Sequence, residues 1–579
     1  MTGRVHIDRK GSRSDARRPS RSIKKRPPTK TEMETEEAMT SASAKKLKDR
    51  QDSEVIVDAT FGYRILNFFT VFSAISACVK CKTCGGDIKF AEADIRGLGF
   101  KIVIQCDECE PQRISSCPQI KKAYEINRRF MFAMRVLGLG LSAMQKFCGL
   151  MDLPKPIMQA TYDVNVRNIH TAAKAVCDVS LKNAAIAEKE MTQNAGTFED
   201  KEGITVSGDG TWKKRGFSSR FGVITLIGNL TGKVIDIIIK SSYCKACEYW
   251  EKKSNTEEYK NWIEEHSIDC AANHEGNAGK MEVDGIQEIF QRSLQLHGVK
   301  YLHYIGDGDS KTFQGILKTN PYDTLVMKKE CVGHVQKRMG TRLRALVKKT
   351  KGLGGRGNLT AKLIDELQLY YGLAIRRHSD SIEAMRKAIW ATFFHKISTD
   401  EKPQHHYCPP GEESWCSWQR ACAANNLSEY RHKPALSKIV EDAIRPVYES
   451  LSEEDLLARC IGGYTQNANE SLNALIWKIA PKETYSGFVI IEIATYIATV
   501  MFNEGSMSLL QILETLNCTI GNAAYYMCQE ADAQRILTGE LQAQKATREA
   551  RIRRREIRLQ LEEDHIAEEG QLYGAGIAD

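Results

Sequence analysis

Apolar residues are spread unevenly along the chain, and their spacing changes period. Residues 1–53 are almost without large apolar side chains and are rich in Arg, Lys, Ser, Thr and Pro. Such a segment cannot bury enough surface to offset its ordering entropy and is expected to be disordered. Between Val55 and Pro118 two short β-like runs, 88–90 and 100–104, lie among glycines and cysteines. From 119 to about 195 the recurrence is helical, through Phe130, Phe132, Ala133, Val136 and Leu137 and again through Val176, Val179 and Leu181. At Gly203 it turns strand-like. The runs 204–206, 221–227 and 234–239 are β-rich, and Gly228-Asn229 and Gly232 punctuate them, which predicts two hairpin connections. A helix over 285–296, a strand over 301–305, a helix over 313–317 and a strand over 324–327 follow. The stretch 334–535 reads as helix with loops near 352–357 and 399–415, and 540–569 as a charged, solvated helix.

Charge sharpens this picture. The chain has 579 residues, and its formal net charge of +9 comes from 82 Lys+Arg against 73 Asp+Glu. Residues 1–30 hold eleven Lys/Arg and two Asp, so the tail carries the whole excess and the remaining chain is balanced. A nucleic-acid surface on the folded body must then be a local patch. Lys24-Lys25-Arg26 and Lys45-Lys46-Leu47-Lys48 read as short basic addresses or phosphate-contact tails. The longest apolar stretch, 488–502, is 15 residues and contains Glu492, short of the roughly 20 residues a membrane span needs. It is expected to be a buried helix, and neither a membrane nor a secretory role is expected.

Eighteen cysteines, many in Cys-x2-Cys pairs, point to thiolate–zinc sites in a reducing compartment. Cys81-x2-Cys84 is followed 21 residues later by Cys106-x2-Cys109. Two such knuckles around two β-runs have the layout of a zinc ribbon, with four thiolates for a tetrahedral Zn²⁺. Cys78 and Cys117 are spare thiols that compete for these places. Cys244-x2-Cys247 precedes His266-x3-Cys270 by 18 residues and supplies a second set of four, with His274 as a rival for the imidazole. His405, His406, Cys408 and Cys416, beside Trp415 and Trp418, form a looser group in which packing competes with ligation. They are not among the expected ligands.

The first β-run leads into Ser207-Gly208-Asp209-Gly210-Thr211-Trp212, and the 301–305 strand into Gly306-Asp307-Gly308-Asp309. If the two strands are sheet neighbours, Asp209 and Asp307 face each other and can share divalent metal, Mg²⁺ or Mn²⁺ for hard oxygen ligands and phosphate substrates. Glu470 and Asn473 open a later helix and share a face at i, i+3, with Leu472, Leu475, Ile476 and Ile479 on the apolar side. Alone, Glu470 is an ordinary first-turn glutamate favoured by the helix dipole.

The order β-β-β-α-β-α-β, with acids on the first and fourth strands and on a late helix, is that of a ribonuclease-H-like nuclease fold. Here a resemblance becomes specific. Gly208-Asp209-Gly210-Thr211-Trp212, the Cys/His cluster followed by Asn273-x2-Gly276 and Met281-Glu282, Gly306-Asp307-Gly308-Asp309, Cys331-x2-His334 and Thr465…Asn469-Glu470-Ser471-x-Asn473 resemble the Mutator-like transposases. Cys408-Pro409…Ser414-Trp415-Cys416 resembles their metazoan branch.

The resemblance implies an α/β protein. Its RNase H-like mixed sheet carries a large α-helical insertion and is preceded by a zinc ribbon and helices, behind a disordered basic N-terminus. The corresponding segments are a basic tail (1–53), a zinc-ribbon-like module (54–118) and a helical region (119–200). The first part of the core follows (201–335), with a zinc-binding insertion at 243–282. Then come a helical insertion (336–460), C-terminal core helices (461–535) and a charged helix and tail (536–579). The implied catalytic triad is Asp209, Asp307 and Glu470, with Asp309 competing for the second place. Cys331 and His334 are implied to shape the active site or contact DNA. The activity implied is two-metal cutting and joining of DNA phosphodiesters at element ends, with Mg²⁺ or Mn²⁺ catalytic and Zn²⁺ structural. The partners are double-stranded DNA (transposon ends and target), with no membrane and a homo-oligomer on DNA, in the nucleus. The rivals are a host-adopted zinc-dependent DNA-binding or chromatin protein that no longer needs catalysis, and a metal-dependent nuclease acting on RNA. Retention of all three acids favours catalysis over the first, and the helical stretch between the second and third acids argues against the second.

Overall fold

The computed structural model describes residues 41–48, 55–214, 218–307, 310–355, 358–412 and 414–546. Of the expected disordered tail 1–53, residues 1–40 and 49–53 lie outside the described residues, as do the charged stretch beyond 546 and the competitor Asp309, whereas 42–48 are corrected to a helix. The described residues fall into two compact units, one of 41–44 with 537–546 and one within 45–536. In the first, Ser41 Oγ accepts from the Ala44 amide at 3.1 Å and so caps the start of helix α1 (Ala42–Lys48).

The larger unit opens with β1 (Val57–Asp58) and α2 (Phe68–Ser76), then an antiparallel sheet of β2 (Ile88–Arg96), β3 (Gly99–Cys106) and β4 (Gln112–Ser115). Few aliphatic side chains are buried here. Phe68 and Phe72 of α2 instead meet Phe100 and Phe90 of the sheet at ring distances of 5.7 and 4.9 Å. The helical expectation from residue 119 is corrected: Lys121, at φ 58, turns the chain between β5 (Gln119–Ile120) and β6 (Ala123–Tyr124). Helices α3 (Glu125–Val136), α4 (Leu141–Leu150) and the 36-residue α5 (Gln159–Asn194) follow.

The central sheet comprises β7 (Gly203–Trp212), β8 (Phe221–Gly228), β9 (Val234–Ser241), β10 (Lys300–Gly306) and β11 (Met327–Glu330), in the order β11-β10-β7-β8-β9. The β7–β8 and β8–β9 pairs are antiparallel, whereas β10 runs parallel to β7 and β11 parallel to β10. Between β9 and β10 lie α6 (Lys245–Glu251), α7 (Glu257–His266) and α8 (Ala278–His297), and between β10 and β11 lies α9 (Ser310–Thr319). Strands β8 and β9 are buried along their whole length. Both faces of the sheet are covered, which explains their continuous apolar runs. Ile204, Val206, Ile224 and Leu226 pack with Ile286, Ile289 and Phe290 of α8 on one face. Phe221, Val223 and Ile227 face α5 and the late helices on the other.

Two strand boundaries differ from the sequence reading. β7 does not stop before Gly208 but continues through the acid to Trp212, because β8 pairs it as far as Trp212↔Gly222. The last strand starts at Met327 rather than 324, because Tyr322 reaches back to Ser293 (2.7 Å) and keeps residues 320–326 in the return from α9.

Helices α10 (Val332–Lys349), α11 (Ala361–Arg377), α12 (Ile382–Ile397), α13 (Ser417–Ala423), α14 (Lys438–Leu451) and α15 (Glu454–Cys460) then build a separate core. Val335, Met339, Leu367, Ile389, Phe393, Ile444 and Tyr448 are among its buried members. The chain returns to the sheet with α16 (Asn467–Ile479), α17 (Phe488–Glu504), α18 (Ser508–Thr515), β12 (Ile520–Gly521), which pairs with β1, and α19 (Asn522–Ala546). The 488–502 run is a buried helix, and Asn503 fastens its end to β9 by accepting from the Val234 amide (2.7 Å) and donating to its carbonyl (2.9 Å). Among the described residues no helix is long and apolar enough to cross a membrane.

Candidate active site

Side chains alternate along β7, so Thr205, Ser207, Asp209 and Thr211 share the face opposite Ile204 and Val206. Helix α16 lies along this face, and its i, i+4, i+8 side chains match the strand's period of two. Asn469 accepts from Ser207 Oγ at 2.8 Å, Asn473 donates to Asp209 Oδ2 at 2.7 Å, and Trp477 donates to Thr211 Oγ1 at 2.8 Å. Lys213 Nζ closes the row by donating to the carbonyl oxygens of Ala480 (3.2 Å) and Pro481 (2.5 Å) at the C-terminus of α16, where a cation complements the helix dipole.

The glycines flanking Asp209 have a packing reason on the opposite face. A Cβ at Gly208 would lie 2.6 Å from Tyr304, and one at Gly210 would lie 2.9 Å from Glu282 of α8. Both glycines thus allow close packing behind the acid.

Asp307 follows the last residue of β10, and Ile305 pairs with Ser207 in the parallel ladder. Extending that register places Asp307 beside Asp209 at the carboxyl edge of two neighbouring strands, where open α/β sheets bind ligands. The two acids sense each other. Burial pushes the Asp209 carboxyl up to about 6; the Asn473 hydrogen bond opposes this, and the charge of Asp307 adds to it.

His334, in the first turn of α10, joins the same edge. Its Nδ1 lies 3.1 Å from Gln466 Oε1, while Gln466 Nε2 donates to the Gly208 carbonyl at 2.8 Å. With the amide nitrogen committed to that carbonyl, Nδ1 is the donor of the pair. The imidazole is held above its ordinary pKa, first by its hydrogen bond with the Cys331 side chain, with Asp307 adding to the effect. Burial opposes ionisation of the Cys331 thiol, yet hydrogen bonds from His334 and the Gln466 backbone hold it below its usual value. Cys331 and His334 are therefore linked to the acid edge. Glu470 lies one turn before Asn473 and is exposed. Its ion-pair partner is Lys337 of α10 at 3.9 Å.

The cysteine clusters are separate from this edge. Cys81, Cys84, Cys106 and Cys109 bring one sulfur each to a common site, with Cys84–Cys106 at 3.1 Å and Cys81–Cys109 at 3.8 Å. The first knuckle turns at Gly85, whose φ of 75 is open to glycine without strain. Cys78 and Cys117 stay outside this group.

The second group is Cys244, Cys247, His266 and Cys270. His266 Nε2 is 3.3 Å from Cys244 Sγ, and Cys247 Sγ is 3.4 Å from Cys270 Sγ. It follows directly on β9, and α6 and α7 bury none of their residues, so no apolar core holds the segment. The rival His274 is instead paired with Asp284 at 3.3 Å. Both groups can hold a zinc ion. The looser third group also converges, but with His395 of α12 in place of His406. His406 faces Phe394 instead.

The Mutator-like transposase family model matches residues 62–416, well over half of the chain. The chain belongs to that family, one of DNA-cutting transposases. The matched span includes Asp209, Asp307, Cys331, His334 and the cysteine clusters, and ends before Glu470 and α16. None of the curated proteins compared matches the chain.

Proposed function

We propose that this transposase cuts and joins DNA phosphodiesters at element ends through a divalent-metal site of Asp209, Asp307 and Glu470 on an RNase H-like core. The observation that carries the reading is the meeting of Asp209 and Asp307 at one edge of two parallel strands, beneath the start of α16. Three antiparallel strands continued by two parallel ones support the RNase H-like assignment. The donor set suits a hard cation. Asp209 is an acid made reluctant to ionise by burial and by a like charge. Beside it the buried Oδ1 of Asn473 has no hydrogen-bond partner among the described residues. Carboxylate and amide oxygens of this kind select Mg²⁺ or Mn²⁺. Such ions, when bound, activate the attacking water or 3′-hydroxyl and stabilise the leaving oxygen.

The chain's own residues position that site. Asn473 fixes the Asp209 carboxylate by its amide hydrogen bond. Gln466 ties α16 to β7 and also orients His334 toward the acid edge. Glu470 is available to join the aspartates. Its pairing with Lys337 is between side chains 60% and 65% exposed, and such pairs are worth roughly 0–1 kcal/mol. Helix α10 leads away from the site with Lys337 and Lys348 exposed on one side and Arg342 and Lys349 on another, a local basic element for phosphate contacts on an otherwise balanced body. The zinc ribbon orients DNA or pairs protomers. The basic tail adds salt-sensitive affinity and directs the protein to the nucleus.

The test is incubation of the zinc-loaded chain with Mg²⁺ or Mn²⁺ and either DNA bearing its element ends or RNA of the same sequence. Metal-dependent strand cuts confined to DNA are expected. A chain that binds the ends and never cuts them would overturn the reading in favour of an adopted DNA-binding protein, and cuts confined to RNA would favour a ribonuclease.

A further inference from the structure

The segment 398–437 connects α12 to α14 with one seven-residue helix, α13, among its described residues. Long connections with so little regular structure are uncommon in compact domains unless something ties them down. Four side chains meet at its base: His395 from the last turn of α12, His405 and Cys408 from the loop, and Cys416 just before α13. Cys408, Cys416 and His405 are 4%, 0% and 3% exposed.

The nitrogen–sulfur separations match the edges of a coordination tetrahedron. Both imidazoles aim Nδ1 at the two sulfurs. His395 Nδ1 is 3.9 and 3.5 Å from Cys408 and Cys416, and His405 Nδ1 is 3.7 and 3.4 Å from the same atoms. Zinc bonds of about 2.3 Å to sulfur and 2.0–2.1 Å to nitrogen at tetrahedral angles would set nitrogen–sulfur edges of about 3.6 Å.

The surrounding hydrogen bonds select the tautomer a metal needs. His432 Nδ1 lies 2.7 Å from Asp400 Oδ1, so it carries the proton, and its Nε2 is an acceptor. His405 Nε2 lies 2.9 Å from that Nε2 and 2.9 Å from Ser398 Oγ, so it donates. The lone pair of His405 is then on Nδ1, facing the sulfurs. A carboxylate–histidine chain behind a ligating histidine is the usual outer support of a zinc site. Trp418 stacks on His405 at 4.9 Å and 15° and keeps water from that side.

We infer that His395, His405, Cys408 and Cys416 bind a third, structural Zn²⁺, two thiol protons being released as it enters, and that this ion fastens segment 398–437 to α12. The inference is independent of the catalytic reading. Elemental analysis of the purified full chain tests it. Three zinc equivalents per chain are expected for the wild type and for His406→Ala, and two for Cys408→Ser/Cys416→Ser and for His405→Ala, with His405→Cys restoring the third. Two equivalents in the wild type would overturn the inference even if the serine variant fails to fold, and so would three in the folded serine variant.

Discussion

Replacing Asp209 by Asn should stabilise the metal-free protein at neutral pH while weakening its response to divalent cations. The isosteric amide keeps an acceptor for Asn473, whose donor lies 2.7 Å from the carboxylate, and removes the charge that burial opposes. The folded-state pKa is pushed up to about 6 from an ordinary 3.8. Below pH about 4 the carboxyl is protonated in both states and contributes nothing. As pH rises from about 4 to 6 the unfolded chain ionises first, the native state holds the extra proton, and stability falls. Above about 6 the full cost is present. A difference of about two pKa units corresponds to about 3 kcal/mol. Urea unfolding of the zinc-loaded wild type and variant, without Mg²⁺ or Mn²⁺, should therefore show curves that coincide near pH 4 and separate toward pH 7, the variant being the more stable. Mn²⁺ at about 100 times its dissociation constant for the wild type should restore about 2.7 kcal/mol to the wild type and at most about 1.4 kcal/mol to the variant, whose site binds at least about tenfold more weakly. A difference that is flat across this range, or a wild type more stable at pH 7 without divalent ions, would refute the electrostatic reasoning.

Asn473→Ala should lower Mn²⁺ affinity by about 10- to 100-fold, the usual cost of losing an outer hydrogen bond to a metal ligand, as read by titration calorimetry. Cys81→Ser with Cys106→Ser should remove one zinc equivalent and expose the 55–118 segment to protease while the central sheet persists, as zinc supplies folding free energy to so small a module. A chain starting at residue 54 should keep metal-dependent cutting at saturating DNA, with a shallower dependence of affinity on salt because the eleven basic residues of 1–30 are gone.

Much of this arrangement is legible in the residue pattern. Asp209 and Asp307 stand out because each follows a β-rich run, and the parallel register of β7 and β10 then brings them together. The two cysteine clusters are legible because paired spacing fixes a knuckle locally. What escapes is set by long-range packing. Nothing in Gly208 or Gly210 reveals that Tyr304 and Glu282 press on them from behind. Gln466 and Trp477 look like ordinary helix residues until α16 is laid on β7. His395 is hidden in an apolar helix, ten residues before the His405 it joins. His406 looks equivalent to His405, yet neighbouring loop residues point apart and it meets Phe394.

The central claim is that Asp209, Asp307 and Glu470 act on one divalent site. Glu470 is the most exposed to refutation, because its partner in the free protein is Lys337. Mn²⁺ binding to the zinc-loaded chain with its end DNA, followed by electron paramagnetic resonance, tests the claim for Asp209→Asn, Asp307→Asn and Glu470→Gln in turn. Each substitution should weaken Mn²⁺ binding at least about tenfold, since one hard ligand of three is lost. Mn²⁺ affinity unchanged in Glu470→Gln, with only the two aspartate variants impaired, would contradict it.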